Sequence, residues 1–361
     1  MKSRWAIGIG LPLLFVTVLA VTSCATSQTP QATAIPTSTP TSASALTPRV
    51  EEFPICINAS SLKVPQYSPD ISGDIVVWQD ERNGNWDIYG YNLSSATEFP
   101  ICTNPTDQED PTVSGDIVVW WDNRNGNYDI YGYNLSSHTE FPICTNPSVQ
   151  NIPDIWGDIV VWLDWRNGNS NQLINSDIYG YNLSSHTEFP ICTNPSEQDY
   201  QVVSGDTVVW LDNRNNIPDI YYIYGYNLSS HTEFPICTNS FEKSPPDISG
   251  DIVVWQDGRS SSWDIYGYNL SSSTEFPICT NPFGQINPVV SGDIVVWLDN
   301  RNSNSKTCDV YGYNLSSSTE FPICTNSSDQ WGPAISGNIV VWQEWRNNTM
   351  GIYGARLTFE E

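Results

Sequence analysis

Positive charge is scarce in this chain. Its 361 residues carry 14 Lys and Arg against 40 Asp and Glu, a formal net charge of −26. That excludes a nucleic-acid partner, since phosphate binding needs a basic stripe and none is present. Acidity of this kind suits a salt-tolerant, solvated surface. Histidine is rarer still. His138, His186 and His231 share one equivalent position, "SSHTEF", where other copies of the segment carry Ser or Ala. Such a position reads as an exposed turn, and no nucleophile–His–acid set or metal-ligand cluster stands out. Long apolar runs are missing after residue 21, so nothing there approaches the ~20 residues that span a bilayer.

The apolar run that does exist is N-terminal. In "MKSRWAIGIGLPLLFVTVLAVTSC", Lys2 and Arg4 precede an apolar stretch from Trp5 to Val21 and then small residues. This predicts a signal peptide over residues 1–23. Val21-Thr22-Ser23-Cys24 resembles a lipobox, with Val where Leu is commonest, and predicts lipidation of Cys24; an ordinary cleaved signal is the alternative. Residues 24–50 then hold the anchor Cys and a Thr/Ser/Pro tether too poor in large apolar side chains to fold. Such a tether spans roughly 28 Å as a coil or about 80 Å extended. The expected location is the cell surface, lipid-anchored to the outer face of the membrane, or secreted. The lipid is the only membrane contact expected.

The rest of the chain repeats itself. "VVW" ends at Trp78, Trp120, Trp162, Trp210, Trp255, Trp297 and Trp342, at spacings of 42 to 48 residues. A period of this size signals a stacked or circular array. Each unit reads as four strands and no helix. A short strand near "PDIS" turns at "GD" into "IVVWQD", whose continuous apolar run suits burial on both faces. "DIYGYNL" follows, with aromatic residues of high strand propensity. Asn83-Gly84 between them predicts a tight hairpin. "TEFPIC" comes last, and its Pro belongs on a sheet edge. "EFPIC" occurs seven times, but its first copy, at Phe53, precedes every other element and the last unit lacks one. The predicted architecture is all-β: a seven-bladed β-propeller of four-stranded blades over residues 51–361, its ring closed by the N-terminal outer strand.

The segments "SGDIVVWQD", "RNGN" and "DIYGYNL", with the Pro ahead of "DISGD", resemble TolB-like propeller repeats. They are more similar to the tandem propeller repeats of cell-surface proteins from methanogenic archaea. The resemblance covers nearly all of residues 51–361 and implies a propeller fold at a cell surface. TolB itself has a separate N-terminal α/β domain, fewer blades and "SPDG" turns. Its Pal-binding role therefore does not carry over.

Recurring residues supply the candidate sites. The "EFPIC" cysteines fall one per blade on the outer strand, roughly 17 Å apart if strands lie about 4.8 Å apart. A disulfide needs Cα atoms within about 7 Å, so unpaired cysteines wedged between blades are expected. Cys308, in an inserted loop, is expected to be an exposed free thiol. Each blade pairs an acid with an Arg two residues on: Asp80 and Arg82, Asp122 and Arg124, Asp164 and Arg166, Asp212 and Arg214, Asp257 and Arg259, Asp299 and Arg301, Glu344 and Arg346. A sevenfold pair reads as a structural lock. No cofactor or metal is expected. Calcium in "DERNGNWD" is the one alternative, disfavoured because Arg would sit among the ligands and EF-hand spacing is absent. "NLS" at Asn92, Asn134, Asn182, Asn227, Asn269 and Asn314 fits the glycosylation sequon, as do Asn58, Asn326 and Asn347.

Sequence diversity gathers on one face. The "SGD" and "LSS" turns hardly change, whereas the loops between second and third strands and between blades differ in length and composition. Variable loops on a constant scaffold are where specificity sits. Gln66, Gln108, Gln150, Gln198, Gln285 and Gln330 share a register there, with Lys243 the exception; Gln172 and Cys308 lie in insertions. This ring is the candidate binding face, although the glutamines could equally brace neighbouring connections. The expected function is a monomeric cell-surface or envelope-organising propeller that binds a protein or glycan. The alternative is a propeller-type carbohydrate-active enzyme, a polysaccharide lyase or hydrolase.

Overall fold

The computed structural model describes residues 47–57, 65–168, 175–302, 307–346 and 349–360. The expected signal segment and Cys24 lie outside them, as do Gln172, Asn58 and Asn347. In blade 1 the inner strand is Gln66–Ser72, the second Ile75–Asp80, the third Asp87–Asn92 and the outer Thr97–Cys102. They pair antiparallel in that order, and six four-stranded sheets of consecutive strands follow the chain. The inner strands touch one another in sequence around a closed ring. Together they make the predicted seven-bladed β-propeller.

The seventh sheet joins the two ends of the chain. Asp329–Ser336, Ile339–Arg346 and Thr349–Thr358 supply three strands, and Arg49–Ile57 lies antiparallel against Thr349–Thr358 as the fourth. The displaced "EFPIC" therefore closes the ring. The strand starts earlier than expected: Arg49 and Val50, assigned to the tether, pair with Thr358 and Leu357.

Apolar burial lies between blades. Val76, Val77 and Trp78 are fully buried, because each second strand is covered on both faces. Val77, Ile88, Ile101 and Cys102 of blade 1 pack on Val113, Val118, Trp120 and Tyr131 of blade 2, and similar clusters recur around the ring. Truncating such a Trp to Ala costs about 3–5 kcal/mol. At the inner ring, Ser72 Oγ accepts the Gly115 N–H of the next blade at 3.0 Å, and Ser336 Oγ accepts that of Gly73 across the closure at 2.9 Å. Blade 3 has Trp156 in place of this Ser, and its side chain is exposed.

Two local expectations change. Asn83-Gly84 is not the centre of a two-residue hairpin. The strands separate after Asp80 and rejoin at Asp87, and only Gly84 takes a positive φ, of 93°. Its N–H closes a turn on Glu81 O at 2.9 Å. The wider loop leaves room for Arg82 to fold back on Asp80. The inner strand is also longer than "PDIS", beginning at Gln66 and bulging between Tyr67 and Asp70. Blade 5 alone shrinks to Asp247–Ser249, because Pro245 and Pro246 offer no N–H to the ladder.

Removing Arg49–Ile57 should strip the outer strand from blade 7 and expose the groups that Ile55 and Cys56 cover. Thermal unfolding should start well below that of the intact chain, with several kcal/mol lost on the burial scale of two apolar side chains and a strand edge. An unchanged melting temperature would contradict closure by this strand.

Candidate functional site

Strand direction sorts the loops onto two faces. The inner strand runs away from the variable loops, so Gln66 and Asp80 lie at the variable end and Ser72 and Asn92 at the constant end. Beneath the variable loops each blade builds one ionic knot. Asp80 is fully buried and accepts Trp78 Nε1 at 3.2 Å, Arg82 N at 2.9 Å and Arg82 Nη2 at 2.6 Å. The guanidinium also meets Glu98 of the outer strand at 2.5 Å and lies 4.0 Å above the Tyr89 ring. Arg82 Nη2 and Glu98 reach Cys56 of the preceding blade at 3.5 and 3.1 Å. The pairs at Asp122–Arg124, Asp164–Arg166, Asp212–Arg214, Asp257–Arg259 and Asp299–Arg301 repeat this, each with its outer-strand Glu. In blade 7 Glu344 replaces Asp, and Glu52 of the closing strand meets Arg346 at 3.2 Å. All seven guanidiniums are thus held by the chain's own carboxylates.

The glutamine ring lies beneath the surface of the variable-loop face. Gln66, Gln108, Gln150, Gln198, Gln285 and Gln330 are fully buried and Lys243 nearly so. Gln108 Nε2 donates to Thr106 O at 2.5 Å, and Gln150 to Ser148 O at 2.7 Å, in the connections that precede them. Lys243 does the same job with its ammonium, on Asn239 O, Asn239 Oδ1 and Phe241 O at 2.7–2.9 Å. An invariant register across divergent loops signalled scaffolding. Cys308 is also no exposed thiol: it is half-buried and donates to Asn300 Oδ1 at 3.0 Å. Burial pushes it to about 11. The "EFPIC" cysteines are buried and unpaired; burial and then Glu98 push Cys56 to about 12.

The channel side of the inner strands carries a feature that sequence reading missed. Asp70, Asp154 and Asp247, from blades 1, 3 and 5, accept the N–H of Val113, Val203 and Val290 in the next blade at 2.6–2.7 Å. They are half-buried at the channel, walled by protein. Burial pushes them up to about 6, 8 and 7, against the pull of those N–H groups. Asp70 and Asp247 add a like-charge push on Asp154. The available signal was the "PDI" that precedes "SGD" in blades 1 and 5 and "WGD" in blade 3.

Around the variable-end mouth the surface is aromatic and acidic. Tyr67 lies 5.6 Å from Trp86, and Trp121 lies 4.2 Å from Tyr128 edge-on. Trp121 Nε1 donates to Asp110 at 3.1 Å, and Tyr221 OH to Glu197 at 3.0 Å. Burial, then Asp110 and Asp107, push Glu109 to about 7; burial, then Glu197, push Asp199 to about 7. Among the described residues seven large apolar side chains are exposed. Six, Ile57, Tyr200, Ile217, Phe241, Phe283 and Trp345, lie toward this face, and Trp156 toward the other. At the constant end, Asn92 Oδ1 caps Ser95 N at 2.9 Å, and Asn134, Asn182, Asn227, Asn269 and Asn314 cap equivalent serines. Asn326 differs, since its Nδ2 is engaged by Cys324 and Glu344. The three histidines are exposed there on left-handed turn residues. Among the described residues no group of three His, Cys, Asp or Glu could hold a metal ion.

Fold and site together define a seven-bladed propeller with a divergent aromatic–acidic face. Solved structures share that fold. Oligogalacturonate lyase from Vibrio parahaemolyticus matches with a TM-score of 0.64 at 11% identity, over 86% of this chain and 97% of that one. The β-propeller domain of the trilobed protease from Pyrococcus furiosus, described as having an open velcro topology, matches at 0.63 and 13%, over 82% and 94%. Acylaminoacyl peptidase from Pyrococcus horikoshii matches at 0.60 and 12%, over 78% of this chain and 49% of that one. At such identities the likeness is one of fold. No protein-family profile matches the chain, and no curated protein sequence does.

Two outcomes follow. Arg124→Ala leaves the buried Asp122 carboxylate without its counter-ion, and should cost about 3–5 kcal/mol in denaturant unfolding; an effect below 1 kcal/mol would contradict the knot. The second concerns pH. A carboxyl that holds its proton more tightly folded than unfolded favours folding while protonated. For Asp70, Asp154 and Asp247 that benefit is complete below about pH 4 and erodes as the pH climbs through about 6, 7 and 8. Asp257 and Glu344 act oppositely. Burial raises them, but Arg259 with Trp255, and Arg346 with Trp342 and Asn326, outweigh it and hold them low. Their stabilisation is present above about pH 4 and lost as pH falls through their lowered range. Melting temperature should therefore rise from pH 8 to pH 5 and collapse below pH 4. Asp154→Asn should flatten the upper limb.

Proposed function

We propose that the protein is a binding propeller of the cell surface, non-catalytic, with its ligand held over the channel mouth on the variable-loop face. The observation that carries this reading is the gathering of exposed aromatic and aliphatic side chains on that face. Exposed apolar groups rimmed by polar ones mark interaction sites, and Tyr, Trp and Phe are the usual anchors of such contacts. The acids beside them favour a ligand with basic or hydroxyl groups, a protein or a neutral glycan. The resemblance to archaeal surface repeats and the signal and lipobox pattern at the N-terminus support a surface location. The described chain enters at Arg49 and leaves near Thr358, both at the constant end.

The enzyme alternative draws on the lyase and peptidase neighbours. An oligogalacturonate chain is a polyanion, and its recognition calls for basic groups. Here seven of the ten arginines are committed to internal carboxylates and Lys243 is buried. That favours binding of a neutral or basic partner over polyuronate cleavage. Arrays of glycans and pull-downs from envelope fractions, using the whole chain, test this. Tyr200→Ala with Phe283→Ala should weaken capture at least tenfold. Unchanged capture, or turnover of a polysaccharide by the wild-type chain, would overturn the reading.

A further inference from the structure

The constant face holds a feature that repeats with the blades. Between blades 1 and 2 a groove of about 350 Å³ is lined by Phe99, Pro100 and Asn92 on one side and Tyr133, Asp116 and Ser136 on the other. Equivalent grooves of about 420, 450 and 450 Å³ lie between blades 2 and 3, 4 and 5, and 5 and 6. The Phe side chain is placed by a missing one: a Cβ on Gly90 would come within 2.7 Å of the Phe99 ring. Backbone closes one side of that ring, and the rest of it lines the groove. Facing it, Asp116 accepts Ser136 Oγ on one carboxylate oxygen at 2.5 Å. Asn92, which lines the same groove, accepts Ser95 N on its Oδ1. Each groove thus has an aromatic and proline wall beside a carboxylate, an amide and hydroxyls.

One further groove shows what such a space accepts. Between blades 6 and 7 the wall is Phe321, and there the chain's own C-terminal segment lies against it. Ala355 stands where blade 2 has Tyr133, and the Phe359 ring sits edge-on to Phe321 with centroids 5.8 Å apart. Phe321 is then only 2% exposed, whereas its counterparts at the open grooves are half-buried. A six-membered ring held against this Phe is therefore a built arrangement of the fold.

The same Phe, Asp and Tyr recur between blades 3 and 4 (Phe189, Asp206, Tyr226) and between blades 7 and 1 (Phe53, Asp74, Tyr91). We infer that these open interblade grooves are repeated binding sites for a neutral pyranose saccharide. A pyranose has an apolar C–H face that packs on an aromatic ring and a hydroxyl edge that needs convergent acceptors and donors. The Phe wall meets the first need; Asp116, Asn92, Ser136 and the Tyr133 hydroxyl meet the second. None of the four grooves is lined by Lys or Arg, and the net charge of −26 adds to the penalty on an anionic sugar. Identical sites at blade spacing fit a repeating polymer, whose binding gains by multivalency. This inference concerns the face opposite the one proposed above and stands independently of it.

The test uses the whole chain with neutral monosaccharides (glucose, galactose, mannose, N-acetylglucosamine), their polymers, polygalacturonate and a Phe-rich peptide as probes. Calorimetry should give several equivalent monosaccharide sites per chain, up to six, for one of the neutral sugars. Its polymer should bind about 10²–10⁴-fold more tightly through avidity. Tyr133→Ala with Ser137→Phe rebuilds the filled arrangement of blades 6 and 7 in the first groove, and should remove one site without lowering the melting temperature. Asp74→Ala, Asp116→Ala, Asp158→Ala, Asp206→Ala, Asp251→Ala and Asp293→Ala together, at exposed turns, should abolish the avidity while circular dichroism stays unchanged. Tyr200→Ala with Phe283→Ala should leave saccharide binding intact. Absence of binding by every neutral sugar, preference for polygalacturonate, occupation of the grooves by the peptide, or a stoichiometry of one untouched by the groove variants would each overturn the inference.

Discussion

A buried carboxylate organises every blade. Asp80 has no access to water, and Trp78, the Arg82 backbone and the Arg82 guanidinium all donate to it. That arrangement fixes much else. The indole must point along its strand toward the variable end, and the loop must widen enough for Arg to return. The outer strand must also bring a Glu to the other side of the guanidinium. The Cys of the preceding blade touches the same group, so the knot couples neighbours as well as strands. Such ion pairs are poor sources of net stability but severe constraints on geometry. Seven of them make each blade adopt the same shape, and a ring closes only if its parts are alike.

The architecture was legible because the repeat made it so. Strand number, blade number and the transferred outer strand all followed from counting "VVW" and "EFPIC". Local geometry was less so. Asn-Gly reads as a two-residue turn, but Arg82's attachment to Asp80 overrides that preference and opens the loop. The glutamine register looked like a ring around a ligand. Periodicity reports only that residues share an environment, and here the environment is the interior, where the amides from Gln108 on and the Lys243 ammonium brace their own connections and Gln66 donates to Cys56 and Asp80.

The candidate site was legible in outline only. Divergence identified a variable face, yet the aromatic pairs at its mouth join residues such as Trp121 and Tyr128 across a loop, and sequence does not announce such pairs. The interblade grooves escaped notice for the opposite reason. Their residues are invariant and were assigned to scaffold, because invariance in a repeat looks structural whether or not a surface is also repeated.

The closing strand imposes an order on synthesis. Arg49–Ile57 is made some 290 residues before its partner Thr349–Thr358. At about 5–20 residues per second the wait is roughly 15–60 s. During that interval six newer copies of the same five-residue word emerge, each beside a third strand that the oldest copy would also fit. Correct assembly therefore depends on local pairing outrunning the early strand at every blade, so that only the final third strand is left without a neighbour. Four-residue turns such as 93–96 before each later copy give those strands a short path to their own partners. The first copy also sits in a longer strand, nine residues against six, that matches the ten-residue Thr349–Thr358, so length and timing both favour its place in the last blade.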